Sequence, residues 1–172
     1  MNAKVWVRSA AATVAGAMLL NGSVVPAAAA TATANLSVTA TVTNNCTIAT
    51  AAVAFGAYDP VVTHASAHLE STGTVTVTCT RGATATVALS LGSNAVGAVR
   101  HLKDASGNVL AYELFQDAGR TAVWGDTPSG LLPIGAAPSK APRDFTVYGR
   151  VPAGQDVPAG NYTDTVVATV NF

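Results

Sequence analysis

Charged residues are scarce in this sequence. Only 10% of its 172 residues are Asp, Glu, Lys or Arg, against about 25% in an average globular protein. Without Lys4 and Arg8, which precede the predicted mature chain, seven basic residues oppose nine acidic ones, a net charge of −2. A surface with so little positive charge cannot bind a phosphate backbone by releasing its counterions, so we predict no nucleic-acid partner. The low charge instead favours surfaces that are covered by protein partners.

Long apolar runs are scarce as well. The stretch Ala10–Leu20 has eleven residues, which is short beside the roughly 20 residues of a membrane-spanning helix. It follows a basic start and precedes Ala28-Ala29-Ala30, a pattern that is typical of a secretory signal peptide. We therefore predict a signal peptide over residues 1–30, cleaved between residues 30 and 35, and a mature domain over 31–172. A retained membrane anchor is the alternative.

Cysteine is limited to Cys46 and Cys79, and no CxxC pattern is present. Exported proteins meet an oxidising compartment, which favours one disulfide between these two residues over a catalytic or redox thiol. It would close a loop of about 33 residues and contribute about 3–4 kcal/mol in the chain-entropy model.

Patterns that carry catalysis are also missing. No GxSxG motif is present, so the sequence does not indicate a serine hydrolase of the nucleophile-elbow type. His64 and His68 are four residues apart near Asp59 and Glu70, but they lie in a predicted loop, where this spacing does not build a zinc site. We predict no enzyme activity, no metal and no cofactor. The aromatic residues at strand spacing are predicted to form the core of the domain and its rim, and Trp124 is the one candidate for the alternative, stacking on a sugar.

The sequence is rich in Thr, Ala and Val, and two stretches alternate between polar and apolar residues, the second of them interrupted at Val167, as half-buried β-strands do. The first stretch is Asn35–Thr43, and the second is Gly160–Phe172. The first places Leu36, Val38, Ala40 and Val42 on one face. The second places Tyr162, Val166, Ala168, Val170 and Phe172 on one face.

Further strands are predicted at intervals of about 8–15 residues. Thr74–Thr80 and Thr84–Leu91, joined by a turn at Arg81-Gly82, are predicted to pair as a hairpin. Val109–Gln116, with Leu110, Tyr112 and Leu114 facing inward, and Asp144–Val151 are predicted strands too, and Ala51–Ala57 is predicted as a weak strand that ends at Gly56. His101, beside Arg100, is placed on a solvated strand end. Because no segment after the signal has helical periodicity, we predict an all-β, immunoglobulin-like β-sandwich, with a small barrel as the alternative.

The strand over Gly160–Phe172 raises a question of completeness. An apolar strand with an open edge invites pairing with another chain. No residue after Phe172 supplies a further strand. We therefore expect a sandwich that is incomplete by itself.

Several motifs together resemble those of a known family. The longest are Tyr112–Asp126, Phe145–Gly160 and Asn161–Phe172, and the shorter Asn45–Thr47 and Val77–Cys79 also fit. With these motifs the chain resembles the spore coat U domain, which is the fold of pilin subunits in archaic, Csu-type chaperone–usher pili. The resemblance covers essentially the whole mature chain.

The resemblance implies an incomplete immunoglobulin-like sandwich that is completed by a donor strand from another subunit. It implies three partners, namely a periplasmic chaperone, an outer-membrane usher and neighbouring pilin subunits in a head-to-tail polymer. The function implied is that of a structural subunit of a pilus that serves surface attachment or biofilm formation. Such a subunit is exported through the periplasm to the cell surface.

By the same resemblance, Val166, Val170 and Phe172 line the acceptor groove and contact the chaperone. The donor strand comes from Asn35–Thr43, with its apolar face Leu36, Val38, Ala40 and Val42. Two alternatives stay open. Asn35–Thr43 could instead be the first strand of its own domain, and the protein could be a secreted monomeric module that binds carbohydrates or surfaces.

Overall fold

The computed structural model of the protein describes residues 28–172. The predicted signal peptide falls mostly on residues 1–27, outside the described residues. The described chain divides between a unit that ends at Thr39 and the domain Ala40–Phe172. Residues 28–45 form no strand, and all of them are exposed. The first strand in the described residues starts at Cys46, and Asn35–Thr43 forms no strand.

Within residues 28–172 the chain forms β-strands and no helix, so no helix in this part could cross a membrane. The strands are β1 (Cys46–Ala51), β2 (Leu69–Cys79), β3 (Ala85–Leu89), β4 (Arg100–Lys103), β5 (Val109–Phe115), β6 (Leu132–Ile134), β7 (Arg143–Val151) and β8 (Ala168–Asn171).

The strands form two antiparallel sheets. The larger sheet has the order β1-β2-β7-β5-β4, and the smaller sheet has the order β6-β3-β8. One core contains buried side chains from both sheets, as in a two-layer sandwich. The prediction of an all-β, immunoglobulin-like sandwich is confirmed.

The alternation in the sequence identifies the inner face of the central strands correctly. In β5 the side chains of Leu110, Tyr112 and Leu114 are buried, as predicted. In β2 the side chains of Val75 and Val77 are buried in the same core. Burial of each such aliphatic side chain contributes about 1.5–3 kcal/mol, which makes these two strands the main support of the sandwich.

The predicted disulfide is present. Cys46, the first residue of β1, lies directly opposite Cys79, the last residue of β2, and the two sulfur atoms are bonded. Both cysteines are buried in the core. The disulfide therefore fixes the edge strand β1 to the strand beside it.

The predicted hairpin between Thr74–Thr80 and Thr84–Leu91 is wrong. Strand β2 pairs with β1 and β7 in the larger sheet, whereas β3 pairs with β6 and β8 in the smaller one. The turn at Arg81-Gly82 thus carries the chain from one sheet to the other. Alternation reports which face of a strand is buried but not which strand lies beside it, so both arrangements fit the same pattern.

Trp124, the candidate for stacking on a sugar, lies in the core instead. Its side chain is fully buried, and the indole Nε1 donates a hydrogen bond of 3.0 Å to the carbonyl oxygen of Val87. A buried indole with a satisfied N–H is a core residue. It is therefore not available to stack on a sugar.

The segment after β1 crosses the inner face of the larger sheet. Val53 and Phe55 of this segment lie over Gly73 of β2 and Gly149 of β7. A Cβ atom on Gly73 would be 2.7 Å from Val53 Cγ2, and one on Gly149 would be 2.7 Å from Phe55 Cζ. Any larger residue at these two positions would displace the crossing segment. Ala51–Ala57, predicted as a weak strand, forms strand only at Ala51.

Candidate functional site: a groove between the two sheets

A groove opens between the two sheets. One wall is formed by residues 50–58, which end β1 and continue into the crossing segment, and the other by residues 157–168, which lead into β8. Its floor consists of side chains from the core of the domain, namely Val75, Leu89, Leu102, Leu110, Tyr112, Leu114, Val147 and Val151. The groove is thus an opening into the hydrophobic core.

The groove consists of two connected cavities. The smaller has a volume of about 210 Å³ and lies beside Val166 and Ala168. The larger, of about 820 Å³, lies beside Val157 and Tyr162. Phe55 and Leu102 line both cavities. Together they follow the wall from Val157 to Ala168.

Two strands with a free edge lie beside the groove. In the described part of the chain, β1 is paired only with β2, and β8 is paired only with β3. A free edge presents unpaired backbone N–H and C=O groups to a further strand. The strand edges beside the groove are therefore available to a further strand.

Along the wall that leads into β8, residues with backbone hydrogen bonds alternate with residues that have none. The exposure of their side chains alternates in the same way. Thr163 exchanges two hydrogen bonds with Lys103, and the carbonyls of Thr165 and Val167 accept from Ser93 and Ser90. For Tyr162, Asp164 and Val166, by contrast, no backbone hydrogen bond is found within residues 28–172. The side chains of these three residues are half-buried, while the odd-numbered neighbours are exposed.

Asp164 is the polar member of this wall. Its Oδ2 accepts a hydrogen bond of 2.7 Å from the Tyr112 hydroxyl, and its Oδ1 accepts bonds of 3.1 and 3.0 Å from the backbone N and Nδ2 of Asn94. Burial raises the pKa of Tyr112, and the hydrogen bond to Asp164 raises it further. Tyr112 therefore stays a neutral donor. The period-two pattern of the sequence places Asp164 on the face of Tyr162 and Val166, so its inward position could be predicted from the sequence.

Arg100 is a second residue whose place the sequence did not reveal. It was expected near a solvated strand end, yet its side chain is fully buried. Its Nη2 donates to the carbonyls of Leu89, Ser90 and Trp124 at 2.8–3.0 Å, and its Nη1 pairs with Glu113. The guanidinium thereby holds the end of β3 against β5.

Ser90 connects the Arg100 side chain to the wall of the groove. Its backbone N–H donates to the Val167 carbonyl at 2.9 Å, and its hydroxyl accepts from the Val167 N–H at 2.9 Å. The buried Arg100 thus positions the segment beside the groove through Ser90. Because every nitrogen atom of the buried guanidinium has a hydrogen-bond partner, this support is rigid.

The two histidines that were weighed as metal ligands have structural roles. The ring of His64 stacks on Tyr58, and its Nδ1 accepts from the Asp59 N–H at 2.9 Å. His68 Nδ1 accepts from the Ala153 N–H at 3.1 Å. In residues 28–172 no three His, Cys, Asp or Glu side chains cluster in a way that could hold a metal. These bonds close the end of the groove near Tyr58, whose hydroxyl donates to the Pro152 carbonyl.

The residues predicted to line the groove are placed unequally. Val166 lines the smaller cavity. Val170 lies further along the same face, half-buried against the core and opposite Val87 of β3. The inward orientation expected for Phe172 is not observed. Its side chain is 57% exposed, beside β6, because it lies one residue beyond Asn171, the last position that pairs with β3.

The residues of the predicted donor segment are all exposed. Leu36, Val38 and Val42 are 88%, 84% and 83% exposed, and Ala40 is exposed as well. Isolated exposed apolar residues are common, but a strictly alternating row of them is not. The apolar face of this segment is therefore not buried within residues 28–172.

The sequence matches a known family over most of its length. Residues 32–169 match the Spore Coat Protein U domain. The chain belongs to the Spore Coat Protein U domain family. A relative in this comparison is Protein U of Myxococcus xanthus, which is 41% identical over 160 residues, covering 86% of this chain and 88% of that protein. The resemblance that the motifs indicated is confirmed.

A solved structure with a similar fold is the CsuC–CsuE chaperone–tip adhesion subunit pre-assembly complex from archaic chaperone–usher Csu pili of Acinetobacter baumannii. The match has a TM-score of 0.56 at 21% identity and covers 77% of this chain. This chain spans about two fifths of the matched chain, at 41%. At this identity the match establishes a shared fold between a Spore Coat Protein U domain and a chain of a pilus complex.

Proposed function

We propose that the protein is a structural subunit of a chaperone–usher pilus that polymerises by donor-strand exchange and serves surface attachment or biofilm formation. The observation that carries this proposal is the groove between β8 and β1, which opens into the core and lacks one strand. The same chain carries an exposed segment, Asn35–Thr43, with the alternation that such a strand needs. Donor residues 35–43 would belong to the mature chain 31–172.

The energetics of strand addition are favourable. Burying Leu36, Val38 and Val42, at roughly 1.5–3 kcal/mol each, would contribute on the order of 5–9 kcal/mol. Backbone hydrogen bonds to the free edge beside β8 would add affinity, and the alternate side chains would add specificity. This supports stable association between subunits without a large conventional interface.

The polymer would grow head to tail. The groove and the donor segment are different surfaces of one chain, so their contact is heterologous and need not close into a ring. Each subunit would offer its donor to one neighbour and its groove to another. The result is a fibre, as the pilus function requires.

An unfilled groove also calls for a partner before assembly, because it would expose core side chains to water and to other chains. A periplasmic chaperone would cover it by lending a strand, and an outer-membrane usher would replace that strand with the donor of the next subunit. Val166, Val170 and Phe172 would contact these partners. Export through the periplasm would agree with the predicted signal peptide over residues 1–30. It would also agree with the disulfide, because disulfides form in oxidising compartments.

The proposed subunit carries out no reaction. In the groove, the hydroxyl of Tyr112 and the carboxylate of Asp164 are engaged with each other, which favours a binding surface over a reactive one. The competing function was a secreted monomeric module that binds carbohydrates. That alternative loses its stacking residue, because Trp124 is buried.

The test compares the purified mature chain, residues 31–172, with a chain that lacks residues 31–42. We expect the first to form SDS-resistant ladders and fibres visible by electron microscopy, and the second to stay unpolymerised while it still binds the chaperone. Substituting Thr39 by Ser, on the opposite face of the donor, is the matched control and should leave polymerisation intact. A mature chain that remains a soluble monomer, or fibres from the shortened chain, would contradict the proposal.

A further inference from the structure

The groove is not uniformly apolar, because one polar cluster interrupts it. Tyr162, Asp164, Val166 and Ala168 face the same side of the wall. Three of these are apolar or aromatic, and the fourth is the Asp164 carboxylate, which lies with Tyr112 in the lining of the smaller cavity. Any strand that adds here meets apolar surface, then a carboxylate, then apolar surface again.

The carboxylate is held firmly in this position. Tyr112 and Asn94 supply three hydrogen bonds to its two oxygens. A Cβ atom on Gly92 would overlap Asp164 Oδ2, so the glycine leaves the space that the carboxylate occupies. An ionised carboxylate can accept about four hydrogen bonds. The bonding that these three donors leave unfilled must come from water, and a large apolar side chain above Asp164 would exclude that water.

The exposed segment has the complementary pattern. Along its apolar face, Leu36 and Val38 precede one small residue, Ala40, and Val42 follows it. The segment therefore has one narrow position between larger side chains. The wall of the groove has one polar position, Asp164, between Tyr162 and Val166.

We propose that residues 36–42 of a second copy add beside the wall that leads into β8, in the register that places Ala40 opposite Asp164. This inference rests on the proposed function and adds the register and a specificity-determining pair to it. Ala40 leaves room for water at the carboxylate, while Val38 and Val42 lie opposite Tyr162 and Val166.

The backbone supports this placement. The N–H and C=O groups of Tyr162, Asp164 and Val166 have no partner within residues 28–172, so they are free to bond an added strand. A shift by one residue would turn Thr39 and Thr41 into the groove. A shift by two residues would place a valine on the carboxylate and Ala40 in an apolar cavity. Both shifts are less favourable than the proposed register.

Cysteine cross-linking tests the register. Mature full chains carrying Val166→Cys are mixed with chains carrying Leu36→Cys, Val38→Cys, Ala40→Cys or Val42→Cys, and covalent dimers are measured after mild oxidation on non-reducing gels. Opposite residues can form a disulfide, whereas residues displaced by two positions lie too far apart. We expect a several-fold higher dimer yield with Val38→Cys if the donor is antiparallel to the wall, or with Val42→Cys if it is parallel.

The outcomes separate the two proposals. If the highest yield comes with Leu36→Cys or Ala40→Cys while polymers form, the register is overturned and the pilus function stands. If the parent chain forms no polymer, both are overturned.

Polymerisation rates give an independent measurement on chains without added cysteines. Ala40→Leu should slow assembly several-fold, whereas Thr39→Leu on the opposite face should not, and equal rates would overturn the specificity assigned to Ala40.

Discussion

The Arg100 guanidinium donates a hydrogen bond of 2.8 Å to the backbone carbonyl of Trp124, although both side chains are fully buried. The same guanidinium binds the carbonyls of Leu89 and Ser90 and pairs with Glu113. One cation thus joins the end of β3, the loop at Trp124 and strand β5. The wall of the groove depends on this junction through Ser90.

Replacement of Arg100 should destabilise the domain strongly. Arg100→Met removes the guanidinium and leaves three carbonyls and the Glu113 carboxylate without their donor, a loss of about 3–5 kcal/mol in the free energy of unfolding. Chemical denaturation of the unpolymerised protein measures it. Lys103→Met, at an exposed position of the same strand, is the control and should change stability little. Equal stability of the two variants would contradict the role of Arg100.

Gly149→Ala should disturb the segment that walls the groove. The added methyl group would lie 2.7 Å from both Phe55 Cζ and Val53 Cγ1, and overpacking of this kind costs about 1–3 kcal/mol. Gly135→Ala is the matched control, because its Cβ would meet no atom within 4 Å. Thermal unfolding of both variants gives the comparison. A Gly149→Ala protein as stable as the control would mean that Val53 and Phe55 do not pack on this glycine.

Reduction of the disulfide should weaken the domain. Breaking the bond between Cys46 and Cys79 removes the constraint on the unfolded chain, with an expected loss of about 3–4 kcal/mol for a loop of this length. Denaturation with and without a reducing agent measures the effect. The double variant Cys46→Ser, Cys79→Ser should have the stability of the reduced protein and should not respond to the reducing agent. Unchanged stability after complete reduction would argue against a structural disulfide.

The stability of the domain should fall at acid pH, because the loop at Asp59 is held by an ionised carboxylate. Hydrogen bonds from the backbone N–H groups of Val62 and Val61 lower the pKa of Asp59 below its usual 3.8. Because the folded pKa is depressed, the contribution is complete above pH 3.8 and is lost as the pH falls through the folded pKa. Asp59→Asn should therefore lower the melting temperature at pH 7, and the difference from the parent should shrink below pH 3.8.

The control for this comparison is Asp156→Asn, at an exposed position with no side-chain hydrogen bond found in the described chain. It should leave the melting temperature unchanged at pH 7. A deficit for Asp59→Asn that stayed constant from pH 7 to pH 2 would show that the loop does not depend on the charged carboxylate.

The sequence predicted which face of each strand is buried better than it predicted which strands pair with each other. The buried residues Leu110, Tyr112 and Leu114 follow directly from alternation, because successive side chains of a strand point to opposite sides. The pairing of β2 and β3 did not follow, since short separation favours a hairpin whereas the sandwich places these strands in different sheets. Partner choice depends on contacts between distant parts of the chain, which a local pattern does not contain.

Asn35–Thr43 shows most clearly that polar–apolar alternation alone does not predict a strand. It alternates without exception, yet it forms no strand in the structure. A strand needs a partner to bond its backbone, and alternation indicates only which face would be buried once a partner is present. Arg100 and Asp164 were missed for a related reason, because charged residues are seldom buried unless they are paired, and their partners come from distant positions.

The disulfide described above has a mechanical consequence. In a head-to-tail fibre, tension on one subunit would enter the domain through the chain that leads from the donor segment into β1. Cys46 is the first residue of that strand and is covalently bonded to Cys79 at the end of β2. A pull on the donor would thus reach a covalent bond before any hydrogen bond of β1 was loaded. The edge strand would stay attached under load, and the force would pass directly into the larger sheet.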